Sequence, residues 1–245
     1  MLGNIYNLVL FQPLLNVLIF LYNIIPVKDL GWSIIIITIL IRVILYPLSK
    51  SSIESQKKLQ LLKPKMDELK KKHGDNKETY GRAVMELYKQ EKINPASSCL
   101  PLLIQLPILI AVYQVFRNGL GHTNFELLYS FVSDPGTINY LFLGLIDLAQ
   151  PNTVLAILAG LFQYWQAKMI MQLKGKEDEK EPKENSGSPL NITNAMTKQM
   201  MYFMPIFTFF IGLSLPSGLV LYWAITTVLT ILQQYLVFGK KEIKA

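Results

Sequence analysis

Residues 32–48 read WSIIIITILIRVILYPL, and this stretch decides the class of the chain. It is apolar almost throughout and holds four consecutive isoleucines, Ile34 to Ile37. β-branched residues are weak helix formers in water. In lipid a lone segment satisfies its own backbone only as a helix. Seventeen residues is the short end of a membrane span. One charge interrupts the run: Arg42, near its end. An arginine at the centre of a span costs roughly 2.5–3.5 kcal/mol on insertion scales. The usual remedy is an acidic partner, and none of the apolar runs in the chain contains Asp or Glu. Two readings of Arg42 remain open. It snorkels to the nearer interface, about 9 Å away at 1.5 Å per residue, or it faces a water-filled cavity between helices.

The rest of the chain supports a polytopic membrane protein. It has 245 residues, 51% hydrophobic and 17% charged, with a net charge of +7. A soluble domain carries about 25% charged residues, so the polar side chains here are too few to cover a water-facing surface. The charges are also segregated. Of 24 Lys and Arg, twelve lie from Lys50 to Lys92, six from Lys168 to Lys198, and three at Lys240, Lys241 and Lys244. Only Lys28 and Arg117 lie on the opposite side, which is a strong positive-inside bias. It places the C-terminus in the cytoplasm. A single cysteine, Cys99, excludes a disulfide framework. No GxGxxG, Walker A, HExxH or GxSxG string is present, so the chain reads as neither an enzyme nor a cofactor or metal protein. The basic balance is explained by anionic lipid without sequence-specific nucleic acid.

The predicted fold is all-α, with five transmembrane helices, an N-terminal interfacial amphipathic helix and a cytoplasmic helical hairpin. Residues 1–28 carry the amphipathic helix. Gln12, Asn16 and Asn23 fall on one stripe of it at 100° per residue; a spanning helix or an uncleaved signal is the competing reading. The first span occupies 29–49 and the basic hairpin 50–97. In the hairpin Leu59, Leu62, Met66 and Leu69 face Tyr80, Val84 and Leu87, Pro64 kinks or starts the first arm, and Gly74 ends it. The second span is 98–117. An extracytoplasmic segment, 118–151, follows, with a turn at Asp134-Pro135-Gly136 and an apolar part, Tyr140 to Ile146, too short to span. The third span is 152–172, with Ala156 and Gly160 as a small-residue face. Residues 173–197 form a flexible charged loop, 198–238 the fourth and fifth spans, and 239–245 a basic cytoplasmic tail.

Further polar residues favour the cavity reading of Arg42. Thr38 lies one turn before it, Gln105 in the second span, Gln163 and Gln166 in the third, and Thr226 and Thr227 in the fifth. Each alone reads as interhelical glue; together they wet one side of a bundle. Tyr222 and Trp223 also fit an interfacial aromatic pair. A wet cavity with one cation and no acid suits the passage of an acidic, polar segment of another chain. A small anion or solute channel is the alternative, and a scaffold whose hairpin binds a partner is the third reading.

Several motifs then occur in a telling order. Gly31 to Thr38 precedes Arg42 and Tyr46-Pro47-Leu48. Lys63-Pro64-Lys65, Asn94-Pro95 and Cys99 to Pro107 follow. Pro216-Ser217-Gly218-Leu219-Val220-Leu221-Tyr222-Trp223 comes next, with Gln233-Gln234 behind it. From about residue 5 to 239 the chain resembles the YidC-type membrane protein insertases. The long Gram-negative form has a large extracytoplasmic β-domain and a first signal-anchor helix. This sequence shows neither, nor a lipobox-type signal.

The resemblance implies an insertase and chaperone of the bacterial plasma (inner) membrane that works without ATP. Its hydrophilic groove would be lined or shaped by Arg42, Thr38, Gln105, Gln163, Gln166, Tyr222 and Trp223. Leu106, Pro107, Pro216 and Ser217 would form the slide for a departing transmembrane segment. Lys57, Lys58, Lys65, Lys70, Lys71, Lys72, Arg82 and Lys89 of the hairpin would meet partners. Those implied are nascent membrane proteins, membrane lipids, the ribosome, signal-recognition targeting factors and the Sec translocon.

Overall fold

A computed structural model describes residues 5–73, 76–94, 100–119, 127–171 and 202–239. Gly74, Cys99, the charged loop 173–197 and the tail lysines lie outside these residues.

Helix α1, Asn7–Ile24, opens as one wide π turn and continues as α-helix from Gln12, with Pro13, which has no N–H to give, just past the change. Helix α2, Leu30–Ile44, starts on Asp29, whose carboxylate accepts from the Gly31 N–H at 2.7 Å. Helix α3, Tyr46–Leu61, bends away from α2 by 68°. Pro47 explains the bend: it has no N–H to give and its ring crowds the preceding turn. Helices α4, Lys63–His73, and α5, Lys77–Gln90, form the hairpin. Pro64 marks the start of α4, after a break at Leu62. Asn76 caps α5 by accepting from Glu78 and Thr79 N–H.

Helix α6, Leu100–Gln114, contains Pro107 and runs on as a π turn, Val115–Gly119. Helices α7, Thr153–Met171, α8, Tyr202–Gly212, and α9, Ser217–Phe238, complete the bundle. By length and composition α1 and α9 each suffice to cross a bilayer, and α2 with α3 makes a third, bent candidate. Leu103–Arg117 and Tyr202–Gly212 are shorter apolar helices. Large side chains such as Ile44 (74% exposed) and Leu236 (71%) stand on the outside, as lipid rather than water requires. The protein is an all-α membrane protein. One departure from helix is a ladder of two antiparallel strands, β1, Leu141–Phe142, and β2, Ile146–Asp147. They fall in the apolar segment judged too short to span.

The apolar core lies at one end of the bundle. It joins Leu15, Ile19 and Tyr22 of α1 to Leu30 and Ile34 of α2 and to Leu219 of α9. The polar stripe of α1 faces into this end and grips the segment 127–139. Gln12 and Asn16 both donate to the Leu127 carbonyl, at 3.1 and 3.0 Å. Asn16 Oδ1 accepts from Tyr129 N–H at 2.6 Å, and Asn23 donates to Ser133 O at 2.7 Å. The Tyr22 hydroxyl accepts from Asn139 N–H. An irregular segment beside a membrane must satisfy its backbone on protein, and the stripe does so. The small-residue face of α7 is also occupied. A Cβ on Gly160 would stand 3.2 Å from the Pro205 carbonyl oxygen, and one on Gly212 3.0 Å from the Ala156 Cβ, so α7 and α8 approach closely.

Candidate functional site

Helix α9 carries Tyr222, Thr226, Thr230 and Gln234 four residues apart, which puts them on one face. It packs on α2, α3, α6 and α7. From α2, Arg42 Nη2 donates to the Thr226 carbonyl oxygen at 2.9 Å and to the Thr230 hydroxyl. The Thr230 hydroxyl donates to the same carbonyl at 2.8 Å. From α6, Gln105 Nε2 donates to the Tyr222 hydroxyl at 2.8 Å. Three helices are thereby joined by one polar ladder. No ion pair of Arg42 with an acid occurs among the described residues. Its Nε is buried without a partner among the described residues, a costly state unless something polar enters.

Arg42 sits at a boundary. Thr38, one turn earlier, is fully buried and donates to the Ile34 carbonyl at 2.5 Å. It belongs to the packed core. From Ile39 to Lys50 every residue is half-buried or exposed. Packing resumes beyond this stretch: Ser52 and Ile53 of α3 and Gln233, Gln234 and Phe238 of α9 are buried. Trp223, Gln163 and Gln166 are half-buried. The ladder does not include them: its hydrogen bonds to Arg42 come from α9. Among the described residues no group of His, Cys, Asp and Glu is placed to hold a metal. The arrangement presents one cation and neutral donors in a medium of low dielectric, where attraction to an anion is far stronger than in water.

The profile of the family described as 60Kd inner membrane protein matches residues 20–244. The chain belongs to this family. It is 37% identical over 235 residues to the membrane protein insertase YidC of Tolumonas auensis, covering 95% of this chain and 37% of that one. It is 34% identical over 235 residues to the protein of the same name in Haemophilus influenzae strain Rd, again spanning 37% of its length. The Fusobacterium nucleatum protein of that name is 34% identical over 214 residues, which covers 87% of this chain and 88% of the relative. The chain thus spans little more than a third of the first relatives and most of the last.

In this 60Kd inner membrane protein family member the residues expected to form a slide divide. Leu106 is 46% exposed and Pro107 is exposed on α6. Pro216 is half-buried. Ser217 is fully buried: its hydroxyl donates to the Asp147 carbonyl at 2.6 Å and to the Gln150 carbonyl, so it anchors the start of α9 to the segment 147–150.

The hairpin closes on Leu62, Met66 and Tyr80, which are buried, while Leu59, Leu69, Val84 and Leu87 are half-buried. Lys65 pairs with Glu91 across the arms, and Arg82 with Glu78 along α5. Lys57 and Lys70 also have partners. Lys58, Lys71, Lys72 and Lys89 stand exposed. Burial, with Tyr88 and Asp67 nearby, pushes the Tyr80 phenol up to about 12. Between the ordinary tyrosine value near 10 and this one the folded hairpin holds a proton that the unfolded chain releases. Its contribution is complete below pH 10 and is lost as pH rises through 12. Hairpin packing, followed by near-ultraviolet circular dichroism, therefore weakens over that window. Tyr80→Phe is expected to flatten the loss; an unchanged profile would count against the assignment.

Sequence reasoning missed Thr230, took Gln234 only as part of a motif, and missed Asp29. A four-residue polar spacing inside an apolar helix was the available signal for the first two. An acid directly before an apolar helix was the signal for Asp29.

Proposed function

We propose that this protein is a membrane protein insertase of the bacterial inner membrane, with Arg42 as the cation of an intramembrane groove. The observation that carries the reading is an arginine with no ion pair among the described residues, tied to α9 beside the half-buried to exposed stretch Ile39 to Lys50. An acidic, polar segment of a client approaches along this stretch, pairs with the guanidinium and crosses less lipid. Gln105, Tyr222, Trp223 and Thr230 line the path, Thr38 floors it, and Gln163 and Gln166 flank it from α7. Leu106, Pro107 and the turn at Pro216 receive the departing apolar helix, and Ser217 fixes that turn. The positive-inside bias places hairpin, charged loop and C-terminus in the cytoplasm. Helix α1 lies along the outer interface. No nucleotide-binding string supports an ATP step, so the free energy comes from burying the client's own apolar helix.

Photo-cross-linkers at Trp223 and Leu106 test the proposal on translation-arrested clients. Adducts at both positions are expected, and their absence for every client would overturn it. Purified protein in vesicles is expected to be tight to chloride at rest; a steady flux would favour the anion channel. The exposed lysines of the hairpin fit the acidic surfaces of ribosome and targeting factors. Removal of Lys57 to Lys89 is expected to abolish salt-sensitive co-sedimentation with ribosomes. Unchanged co-sedimentation would remove that role.

A further inference from the structure

The segment Tyr140 to Ile146, YLFLGLI, carries no charge and takes no part in the groove. It folds as β1 and β2 about a reversal at Leu143 and Gly144, both with positive φ. Phe142 turns inward, packs edge-on against Trp32 at 6.3 Å and fills the space that a side chain at Gly31 would need. Leu141, Leu143 and Leu145 turn outward, 48, 59 and 83% exposed. Turn tips in water favour Gly, Asn, Asp and Ser; this one presents three leucines.

The tip is also held. Leu143 has φ +54°, a conformation that L side chains adopt at a cost. Its N–H donates to the second carboxylate oxygen of Asp29 at 2.9 Å, and Asp29 is buried. A buried acid and a strained leucine together keep an apolar tip pointing out. Asp29 caps α2, so the tip is level with the end of α2 remote from the basic hairpin. Trp32 lies three residues on, about 4.5 Å along the axis. It heads the stripe Trp32, Ile36, Ile39 and Val43, of which Trp32, Ile39 and Val43 are exposed. That stripe is lipid-facing, and through Phe142 and Trp32 the tip continues it. Aromatic rings at this level mark the boundary of headgroup and acyl chain.

We propose that Leu141, Leu143 and Leu145 insert into the lipid leaflet at the end of the bundle remote from the basic hairpin. The hairpin tip anchors the segment 127–150 to the membrane. Neither the anchor nor its readout depends on client insertion.

The test uses the full chain in phosphatidylcholine–phosphatidylglycerol vesicles, with Cys99→Ser as background. Spin labels are placed singly at Leu145→Cys, Val43→Cys and Thr137→Cys. Leu145 is exposed enough for the label to leave the fold alone. Collision with oxygen is expected to exceed collision with a water-soluble nickel chelate several-fold at 145, as at the lipid reference 43. The ratio is expected to invert at the exposed, polar 137. A label at 145 that follows 137 would overturn the proposal. So would a label shielded from both reagents, which would place protein over the tip.

Discussion

Arg42→Ala lowers insertion of single-span clients with acidic outer tails by about tenfold or more. A hydrogen bond to a charged group is worth about 1.5–3 kcal/mol, and each 1.4 kcal/mol is about tenfold. The structure sharpens the experiment, because Arg42 has two jobs. Its Nη2 ties α2 to α9 through Thr226 and Thr230. Its charge also stands in the half-buried to exposed stretch Ile39 to Lys50. Thr230→Val removes one tie and leaves the charge. If the charge carries function, Thr230→Val inserts clients nearly as well as the parent. If the tie carries it, both variants fail alike. Arg42→Lys keeps the charge without the planar fork and is expected to fall between. A reconstituted insertion assay that finds Arg42→Ala unimpaired on every client would remove Arg42 from the mechanism.

Asp29→Ala has the second large effect, on stability. It removes a helix cap worth about 0.5–2 kcal/mol. It also removes the acceptor that holds Leu143 in its strained conformation, a charged-group bond worth about 1.5–3 kcal/mol. The midpoint of thermal unfolding in detergent micelles is expected to drop by several degrees. Asp29→Asn retains one acceptor oxygen in place of two, so its loss is expected to be smaller. Equal midpoints for the parent and Asp29→Ala would show that the clamp contributes nothing.

Local pattern made the architecture legible. The stretch Trp32 to Leu48 declared a membrane helix. Pro47 and Pro64 marked breaks that the backbone makes. The hairpin seam was legible for the same reason: residues three and four apart on a helix share a face whatever the helix packs against. Partnership was not legible at this level. The polar stripe of α1 was plain, but its binding to the backbone of 127–139 depends on contacts more than 100 residues away in sequence.

By itself, then, the sequence determined that this is an all-α membrane protein and that Arg42 interrupts an apolar run without Asp or Glu, because hydropathy and charge act residue by residue. The tertiary structure decided what Arg42 touches. Its two partners are 184 and 188 residues distant along the chain, and no local period encodes a pairing between helices. It also decided that Thr38 is core, that Ser217 is an anchor, and that a run too short to span becomes a leucine-tipped hairpin. Each of these follows from which surfaces close packing leaves uncovered, a property of the assembled bundle and not of any one helix.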